Sequence, residues 1–346
     1  MQHNVDYLLR AAFELKASDI HMTVGVPPIV RINGDLKKYG KEVLSPQDTE
    51  AMAMHIMPKG MENVFKEKGE LDFSYALPGV SRYRVNIYHQ RGCIALSVRI
   101  VPTKIPTIEE LELPAILKSI ASKPQGLVLV TGPTGSGKST TLAAMIQYMN
   151  NTMSKHIITL EDPIEYLHKH NTCIIDQREV GYDTNNFANG LRASLRQDPD
   201  IILVGEMRDL ETVRTAITAA ETGHLVLATL HTSSAPATID RIIDVFPPSQ
   251  QQQIRIQLAS VLVSIVSQRL FPRIDQTGRK AATEIMMNNS AIANLIRNEK
   301  VHQIISVMQT SRAQGMHTID SSITELMNAG IISKEIALPY LGKKVE

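Results

Sequence analysis

The stretch from Leu127 to Thr140 reads LVLVTGPTGSGKST and decides the fold of the larger part of the chain. The apolar run Leu127–Val130 predicts a buried strand, and a G-x-x-x-x-G-K-[ST] loop follows it and leads into the predicted helix Ser139–Asn150. In that context glycines let backbone N–H groups point inward, and the helix N-terminus adds the positive end of its dipole. The stretch therefore predicts a phosphate-binding loop.

The loop supplies the predicted nucleotide-binding residues. Lys138 is long enough to reach the β- and γ-phosphates of ATP, and the Ser139 hydroxyl can ligate Mg²⁺. ATP and Mg²⁺ are therefore the predicted cofactors. The binding set is Gly132, Pro133, Thr134, Gly135, Ser136, Gly137, Lys138, Ser139 and Thr140.

Three further apolar runs, His156–Leu160, Ile201–Val204 and Leu225–Leu230, predict strands. Helical patterns lie between the runs, and one of them, Asp209–Thr222, is ended by Gly223. Apolar runs that alternate with helices predict a parallel sheet covered on both faces. Because ligands bind outside the carboxyl ends of such strands, the residues that follow each strand are the candidates for chemistry.

Acidic side chains follow two of these strands. Glu161 and Glu165 come after the second strand, and Glu206 comes after the third. ATP hydrolysis needs one carboxylate to orient or deprotonate the attacking water, and a second to hold Mg²⁺ directly or through water. All three glutamates are predicted to share the rim of the phosphate loop, and spacing alone does not divide the two roles among them.

Histidines bracket the fourth strand. His231, at its carboxyl end, is predicted to lie near the γ-phosphate, whereas His224, at the opposite end, fits a structural role equally well. Phosphoryl transfer also needs a cation, which often comes from outside the nucleotide domain. The N-terminal region offers four cations within eighteen residues, and a solvated sheet face is the other interpretation of their spacing: Arg82, Arg84, Arg91 and Arg99.

Residues 1–101 are predicted to form a smaller α+β domain. It contains two short strands at Asp19–Val24 and Ile29–Ile32, a hairpin turn at Asn33-Gly34, and three antiparallel strands at Leu71–Leu77, Arg82–His89 and Ile94–Val101. Residues 102–114, with three prolines and three glutamates, are the predicted linker. Residues 115–346 are the predicted ATPase domain, and within it a long helix is expected at Gln250–Gln268 and a short strand near Ala281–Met287.

The composition excludes several classes of protein. The chain has 43% hydrophobic residues, so it can bury a sizeable core, and disordered proteins are excluded. Its 36 basic and 35 acidic residues provide no bulk attraction to nucleic acid or anionic lipid. Two cysteines, Cys93 and Cys173, exclude a zinc site made of cysteines and indicate a cytoplasmic protein. The longest charge-free apolar run, Ile256–Gln268, is too short to span a bilayer.

These motifs resemble the secretion ATPases of type II secretion and type IV pili, and among them the PilT-type retraction ATPases of twitching motility. The matching segments are the Walker A loop Gly132–Thr140, the Asp box Leu160–Tyr166 (LEDPIEY), the Walker B segment Arg196–Asp209 (RQDPDIILVGEMRD), the His box Thr222–Thr232 (TGHLVLATLHT), Gln177–Thr184 (QREVGYDT) and Ser18–His21 (SDIH).

The resemblance implies a role for each candidate residue. Glu165 becomes the catalytic carboxylate, Glu206 the Walker B acid and His231 the γ-phosphate sensor, while the N-terminal arginines complete the site. The implied fold is a RecA-like P-loop NTPase domain with a smaller N-terminal PAS-like α+β domain. The implied assembly is a homo-hexamer on the cytoplasmic face of the inner membrane, associated with the membrane only through partners such as an inner-membrane pilus platform protein.

The direction of the motor has two interpretations. Pilus-extension and type II secretion assembly ATPases usually carry a tetracysteine motif and additional N-terminal sequence, so two cysteines and a start close to the PAS-like domain favour retraction. One position departs from the retraction signature, which usually has arginine where this chain has Ala293.

Two other classes of function are alternatives to a pilus motor. A RecA-like nucleic-acid translocase would need a basic or aromatic strand-binding surface. A scaffold that never hydrolyses ATP would not need Lys138, Glu165 and Glu206 together.

Overall fold

The computed structural model describes residues 4–32 and 34–341, and the chain divides into two compact units. The first unit contains the residues up to Lys104 together with Glu165–Leu167. The second unit contains Ile105–Ile164 and the residues from His168 onward. Within the described residues, no helix has the length and apolar character needed to cross a membrane.

The first unit is a six-stranded antiparallel sheet with three helices packed against it. The strand order is β3-β2-β1-β6-β5-β4. The elements are α1 (Val5–Glu14), β1 (Asp19–Met22), β2 (Ile29–Ile32), β3 (Asp35–Lys38), α2 (Pro46–Ile56), α3 (Glu62–Lys68), β4 (Glu70–Leu77), β5 (Ser81–Gln90) and β6 (Cys93–Ile100). The predicted antiparallel strands are confirmed, and Asn33 of the predicted turn lies outside the described residues.

Alternation along β5 sorts its side chains onto two faces. Tyr83, Val85 and Ile87 are fully buried with the helices, and the two aliphatic side chains each contribute about 1.5–3 kcal/mol by removing apolar surface from water. The Tyr83 hydroxyl also donates a hydrogen bond to the carbonyl of Leu9 in α1, at 3.1 Å. Because successive side chains point to opposite faces, Arg84 lies on the face of the strand away from this core.

The second unit is built on a seven-stranded sheet of order β13-β12-β7-β11-β10-β8-β9. Strands β7 to β12 run parallel to their neighbours, and β13 is antiparallel to β12. The strands are β7 (Gly126–Thr131), β8 (His156–Glu161), β9 (Ile174–Glu179), β10 (Ile201–Val204), β11 (Leu225–Leu230), β12 (Leu262–Pro272) and β13 (Arg279–Met287). The four predicted strands lie side by side as β7-β11-β10-β8, which confirms the predicted parallel arrangement.

Helices cover both faces of this sheet. Leu127 and Leu129 of β7 belong to one hydrophobic core, and Val128 and Val130 belong to the other. This explains why β7 is a continuous apolar run instead of an alternating one. The helices are α4 (Ile116–Ala121), α5 (Lys138–Thr152), α6 (Phe187–Ser194), α7 (Leu210–Glu221), α8 (Ala235–Asp244), α9 (Pro248–Val261), α10 (Ser290–Arg297), α11 (Ile304–Thr310), α12 (Ile319–Asn328) and α13 (Lys334–Ala337).

Local signals set the ends of α7 as predicted. Asp209 is its N-cap, and the carboxylate accepts the backbone N–H of Thr212 at 2.9 Å. Gly223 follows the helix with φ 102°, a conformation that favours glycine. Asp209 therefore begins the helix and Gly223 ends it, and the helix connects the neighbouring strands β10 and β11.

The predicted helix Gln250–Gln268 is wrong in its second half. Helix α9 ends at Val261, and Leu262–Pro272 forms β12, which pairs in parallel with β7. A short apolar run such as Leu262–Val266 does not distinguish a buried strand from a buried helix by its period. Pairing with the open edge of β7 decides the outcome, and it brings β12 alongside the phosphate loop.

Candidate functional site

The phosphate loop connects β7 to α5 and contains three glycines with positive φ. Their φ values are 144° at Gly132, 78° at Gly135 and 88° at Gly137. A Cβ atom at Gly132 would lie 2.3 Å from the carbonyl oxygen of Gln268 and 2.6 Å from Oγ of Ser136. Conformation and close packing therefore both require glycine at Gly132.

Lys138 begins α5 and folds its side chain back over the loop. Its Nζ donates hydrogen bonds to the carbonyl oxygens of Gly132 at 2.8 Å and Pro133 at 3.2 Å. Nearby, the Ser136 side chain is buried, and its Oγ has no hydrogen-bond partner among the residues that the structure describes. A cation and an unpaired buried hydroxyl in a glycine loop at a helix N-terminus fit a phosphate group.

A buried glutamine contacts the loop from the neighbouring strand. Gln268 on β12 is only 2% exposed. Its Nε2 donates to the carbonyl of Ser136 at 2.7 Å, and its Oε1 accepts from Oγ1 of Thr141 at 2.9 Å. Sequence reasoning missed this residue because it placed Gln268 at the end of a helix.

Glu206 and His231 meet at the carboxyl ends of β10 and β11. Nε2 of His231 lies 3.5 Å from Oε2 of Glu206, and Nε of Arg208 lies 2.7 Å from the same oxygen. The Glu206 side chain is 18% exposed, so the carboxylate is mostly buried, and Arg208 is its cationic neighbour. Arg208 was also missed, although its place two residues after Glu206 was a visible signal.

Glu161 ends β8 with its carboxylate engaged in hydrogen bonds. Its Oε1 accepts from Oγ1 of Thr159 at 2.6 Å and from Nε2 of Gln177 at 3.1 Å. The backbone N–H of Gly205 donates to the carbonyl of Leu160 at 2.7 Å, so the ends of β8 and β10 lie side by side. Glu161 and Glu206 therefore follow neighbouring strand ends.

Side chains of β9 anchor the chain on both sides of Glu165. The carboxylate of Glu179 accepts the backbone N–H of Ile164 at 3.1 Å, and Oε1 of Gln177 accepts the backbone N–H of His168 at 2.8 Å. Glu165 itself is exposed and belongs to the first unit. Burial lowers the pKa of the His168 imidazole to about 4, so this side chain is neutral at pH 7.

The four N-terminal arginines lie in the first unit. Arg99 is exposed, and its Nε donates to Oδ1 of Asp19 at 3.0 Å. Burial of the Asp19 carboxyl opposes its ionisation, but hydrogen bonds from Ser18 and Arg99 outweigh this and hold its pKa below the ordinary value. Arg84 is exposed and stands opposite Arg99 in the β5–β6 register, Arg82 is half-buried, and Arg91 is exposed in the turn after β5.

His224 lies at the other end of β11 from His231. Its Nδ1 lies 2.9 Å from the carbonyl oxygen of Ala219 and 3.3 Å from Oγ1 of Thr222. These contacts join the imidazole to the last turn of α7. They match the structural interpretation of this histidine.

Comparison with known proteins gives a consistent set of relatives. Residues 96–337 match the family model described as Type II/IV secretion system protein. The chain is 48% identical over 334 residues to the type IV pilus retraction ATPase PilT of Pseudomonas aeruginosa, covering 96% of this chain and 97% of that protein. It is 45% identical over 329 residues to a twitching motility protein of Neisseria gonorrhoeae, covering 93% of this chain and 88% of that protein.

A solved structure shows the same likeness over the whole fold. The crystal structure of the pilus retraction motor PilT with bound ADP superposes with a TM-score of 0.91 at 47% identity. The match covers 99% of this chain and 98% of that one.

Proposed function

The chain belongs to the type II/IV secretion system protein family and is a P-loop ATPase, and on that premise we propose that it hydrolyses ATP to drive type IV pilus retraction. Its larger domain has the RecA-like fold, and its smaller N-terminal domain is an α+β domain of PAS-like type. The observation that carries the proposal is Lys138 held over the glycine loop, in the same unit as the Glu206–His231 pair.

The phosphate loop is the proposed ATP site. Backbone N–H groups of the loop would donate to the phosphates, apart from those of Gly132 and Ser136, which donate to the carbonyl oxygens of Leu230 and Pro133. The Lys138 ammonium group would exchange its two carbonyl partners for phosphate oxygens. When bound, Mg²⁺ supplies positive charge to the phosphate oxygens. The Ser139 hydroxyl would hold the metal directly, and Glu206 would hold it through water. In the described part of the chain, no three or more His, Cys, Asp or Glu side chains form a cluster that could hold a metal ion.

Glu165 is the proposed carboxylate that orients the attacking water. Its side chain is exposed, whereas Oε1 of Glu161 already accepts two hydrogen bonds. A general base needs a carboxylate oxygen that can accept the proton of water. This difference favours Glu165 for water activation. Glu161 instead stabilises the end of β8 through its hydrogen bonds with Thr159 and Gln177.

The assembly is proposed to be a homo-hexamer in the cytoplasm, docked through an inner-membrane pilus platform protein and without a nucleic-acid partner. The N-terminal arginines would then complete the site of a neighbouring subunit, as an arginine supplied in trans does in other P-loop enzymes. Residues 1–101, 102–114 and 115–346 are the proposed N-terminal domain, linker and ATPase domain. We propose that ATP hydrolysis rotates the two domains relative to each other about the linker, and that this movement supplies the force for retraction.

An ATPase assay tests the enzymatic part of the proposal. The Lys138→Ala variant should lose turnover, because no other side chain of the loop carries positive charge. The matched control is Lys123→Ala, an exposed lysine of the same unit, which should keep the wild-type rate. Equal rates for wild type and Lys138→Ala would overturn the assignment of the loop.

A deletion strain tests the direction of the motor. Cells that carry abundant pili but do not twitch indicate retraction, because pili are built and never withdrawn. Cells without pili indicate the extension or secretion-assembly interpretation. Complementation with Lys123→Ala, but not with Lys138→Ala, should restore twitching if ATP turnover is the required activity.

A further inference from the structure

We propose that Gln268 is a positioning residue of the phosphate loop, whose buried amide holds the loop in the conformation that receives nucleotide. The proposal rests on the proposed role of Gly132–Thr140 as the ATP site. Gln268 lies on β12, outside the loop and outside the Asp box, the Walker B segment and the His box, so it is an additional residue of the proposed nucleotide site.

The amide of Gln268 makes two hydrogen bonds to opposite parts of the loop region. Nε2 donates at 2.7 Å to the carbonyl of Ser136, which precedes the helix, and Oε1 accepts at 2.9 Å from Thr141 in the first turn of α5. Gln268 and Thr141 are each 2% exposed, so water does not substitute for either bond. The short stretch between these partners contains Lys138 and Ser139, and its geometry depends on both bonds.

The same strand fills the space beside the loop glycines. A Cβ atom at Gly132 would lie 2.3 Å from the carbonyl oxygen of Gln268, and one at Gly137 would lie 3.1 Å from its Nε2 and 3.3 Å from Cδ1 of Leu270. Gly132 and Gly137 therefore leave room for β12 beside the loop. The loop packs directly against β12.

A third contact fixes the start of the loop. Oγ of Ser267 lies 2.8 Å from Oγ1 of Thr131, the residue immediately before Gly132, and both hydroxyls are buried. Strand β12 is itself held between β7 and β13. The loop is thus tied to one strand at Thr131, Ser136 and Thr141, which keeps it in a single shape before nucleotide arrives.

Loss of the amide should act on nucleotide binding more than on the chemical step. Replacing Gln268 by leucine removes both hydrogen bonds while keeping much of the volume. The Ser136 carbonyl and the Thr141 hydroxyl then lose their partner. The loop is less ordered before ATP binds, so the entropy cost of ordering it lowers the binding free energy. Glu165 and Glu206 are unchanged, so kcat should change little while KM rises.

Titration of a fluorescent ATP analogue and steady-state ATPase kinetics, both on the full chain, test this role. For Gln268→Leu we expect Kd and KM to rise about tenfold and kcat to stay within about threefold of wild type. The matched control is Ser264→Ala on the same strand, which loses the buried hydrogen bond from Ser264 to the carbonyl of Met286 at 2.8 Å. It should lower the melting temperature and leave Kd and KM unchanged.

A second variant separates positioning from general loss of stability. Thr141→Val removes one of the two bonds from the other side, and we expect Kd to rise about threefold to fivefold. In the double variant Gln268→Leu/Thr141→Val the effects on Kd should be less than additive, because the shared bond is lost once. If Gln268→Leu does not fold, Thr141→Val decides alone, and a wild-type Kd in that variant overturns the inference.

Two failures can be told apart. Wild-type protein that does not bind the ATP analogue contradicts the proposed function. Wild-type protein that binds it with the same Kd as Gln268→Leu contradicts only the role of Gln268.

Discussion

Nε2 of His231 lies 3.5 Å from Oε2 of Glu206, across the carboxyl ends of β11 and β10. Strand β11 is also the direct neighbour of β7, which leads into the phosphate loop. His231 therefore follows β11, the strand that lies between the loop strand β7 and the strand β10 that precedes Glu206. We propose that the imidazole at this place links the γ-phosphate to the carboxylate proposed to hold Mg²⁺.

We expect His231→Ala to lower kcat about ten- to a hundredfold while the affinity for ATP changes little, because the proposed role of the imidazole begins when charge moves onto the transferred phosphate. Single-turnover hydrolysis and ATP titration measure the two effects separately. His231→Gln keeps a hydrogen-bond donor and should recover part of the loss. An alanine variant that weakens ATP binding and hydrolyses bound ATP at the normal rate would contradict a sensor role.

Glu165→Gln and Glu161→Gln should have different effects. We expect Glu165→Gln to bind ATP normally and to hydrolyse it about 10²–10⁴-fold more slowly, because an amide cannot accept the proton of water. In Glu161→Gln the side-chain carbonyl can still accept from Thr159 and Gln177, so the rate should fall far less. Rapid-quench kinetics with preloaded ATP compare the two. The opposite ranking would show that Glu161 is the catalytic carboxylate.

Arg99→Ala should lower ATP turnover at least tenfold if this exposed guanidinium stabilises transition-state charge in a neighbouring subunit. Mixing provides the sharper measurement. Arg99→Ala and Lys138→Ala subunits should each have low activity alone. In the proposed ring, mixing the two variants creates interfaces with an intact loop from one subunit and an intact arginine from the next. Recovered activity would establish action in trans. The same mixing with Arg84→Ala, Arg82→Ala and Arg91→Ala ranks the four arginines.

Part of this architecture was predictable because its signals are local. The apolar runs, beginning with Leu127–Val130, and the helical patterns between them predicted the parallel strands, and the polar residues after these runs indicated where the candidate site lies. The predicted hairpin turn at Asn33-Gly34 implies a strand after it, but the bounds of β3 were not predicted, because all four of its residues, Asp35–Lys38, are exposed and show no alternation of burial. The contacts of Gln268 were missed for another reason, since they join residues about 130 positions apart and depend on the pairing of β12 with β7.

The stability of the protein should fall on acidification through His168. Burial lowers the pKa of its imidazole to about 4, and its Nδ1 finds no hydrogen-bond partner within the described residues. The unfolded chain has a histidine pKa of about 6.5. Between these values the unfolded state binds a proton that the folded state does not, so stability is present above pH 6.5 and is lost as the pH falls toward 4.

Urea unfolding at pH 7 and pH 5 measures this effect. From pH 7 to pH 5 we expect wild type to lose about 2 kcal/mol more free energy of unfolding than His168→Gln, since glutamine does not titrate. Burial also lowers the pKa of His317, but that residue is present in both proteins and cancels in the comparison. The control His302→Gln replaces an exposed imidazole and should follow wild type. Equal losses in wild type and His168→Gln would mean that His168 takes up its proton without unfolding, and that the chain beside Glu165 opens to water in the native state.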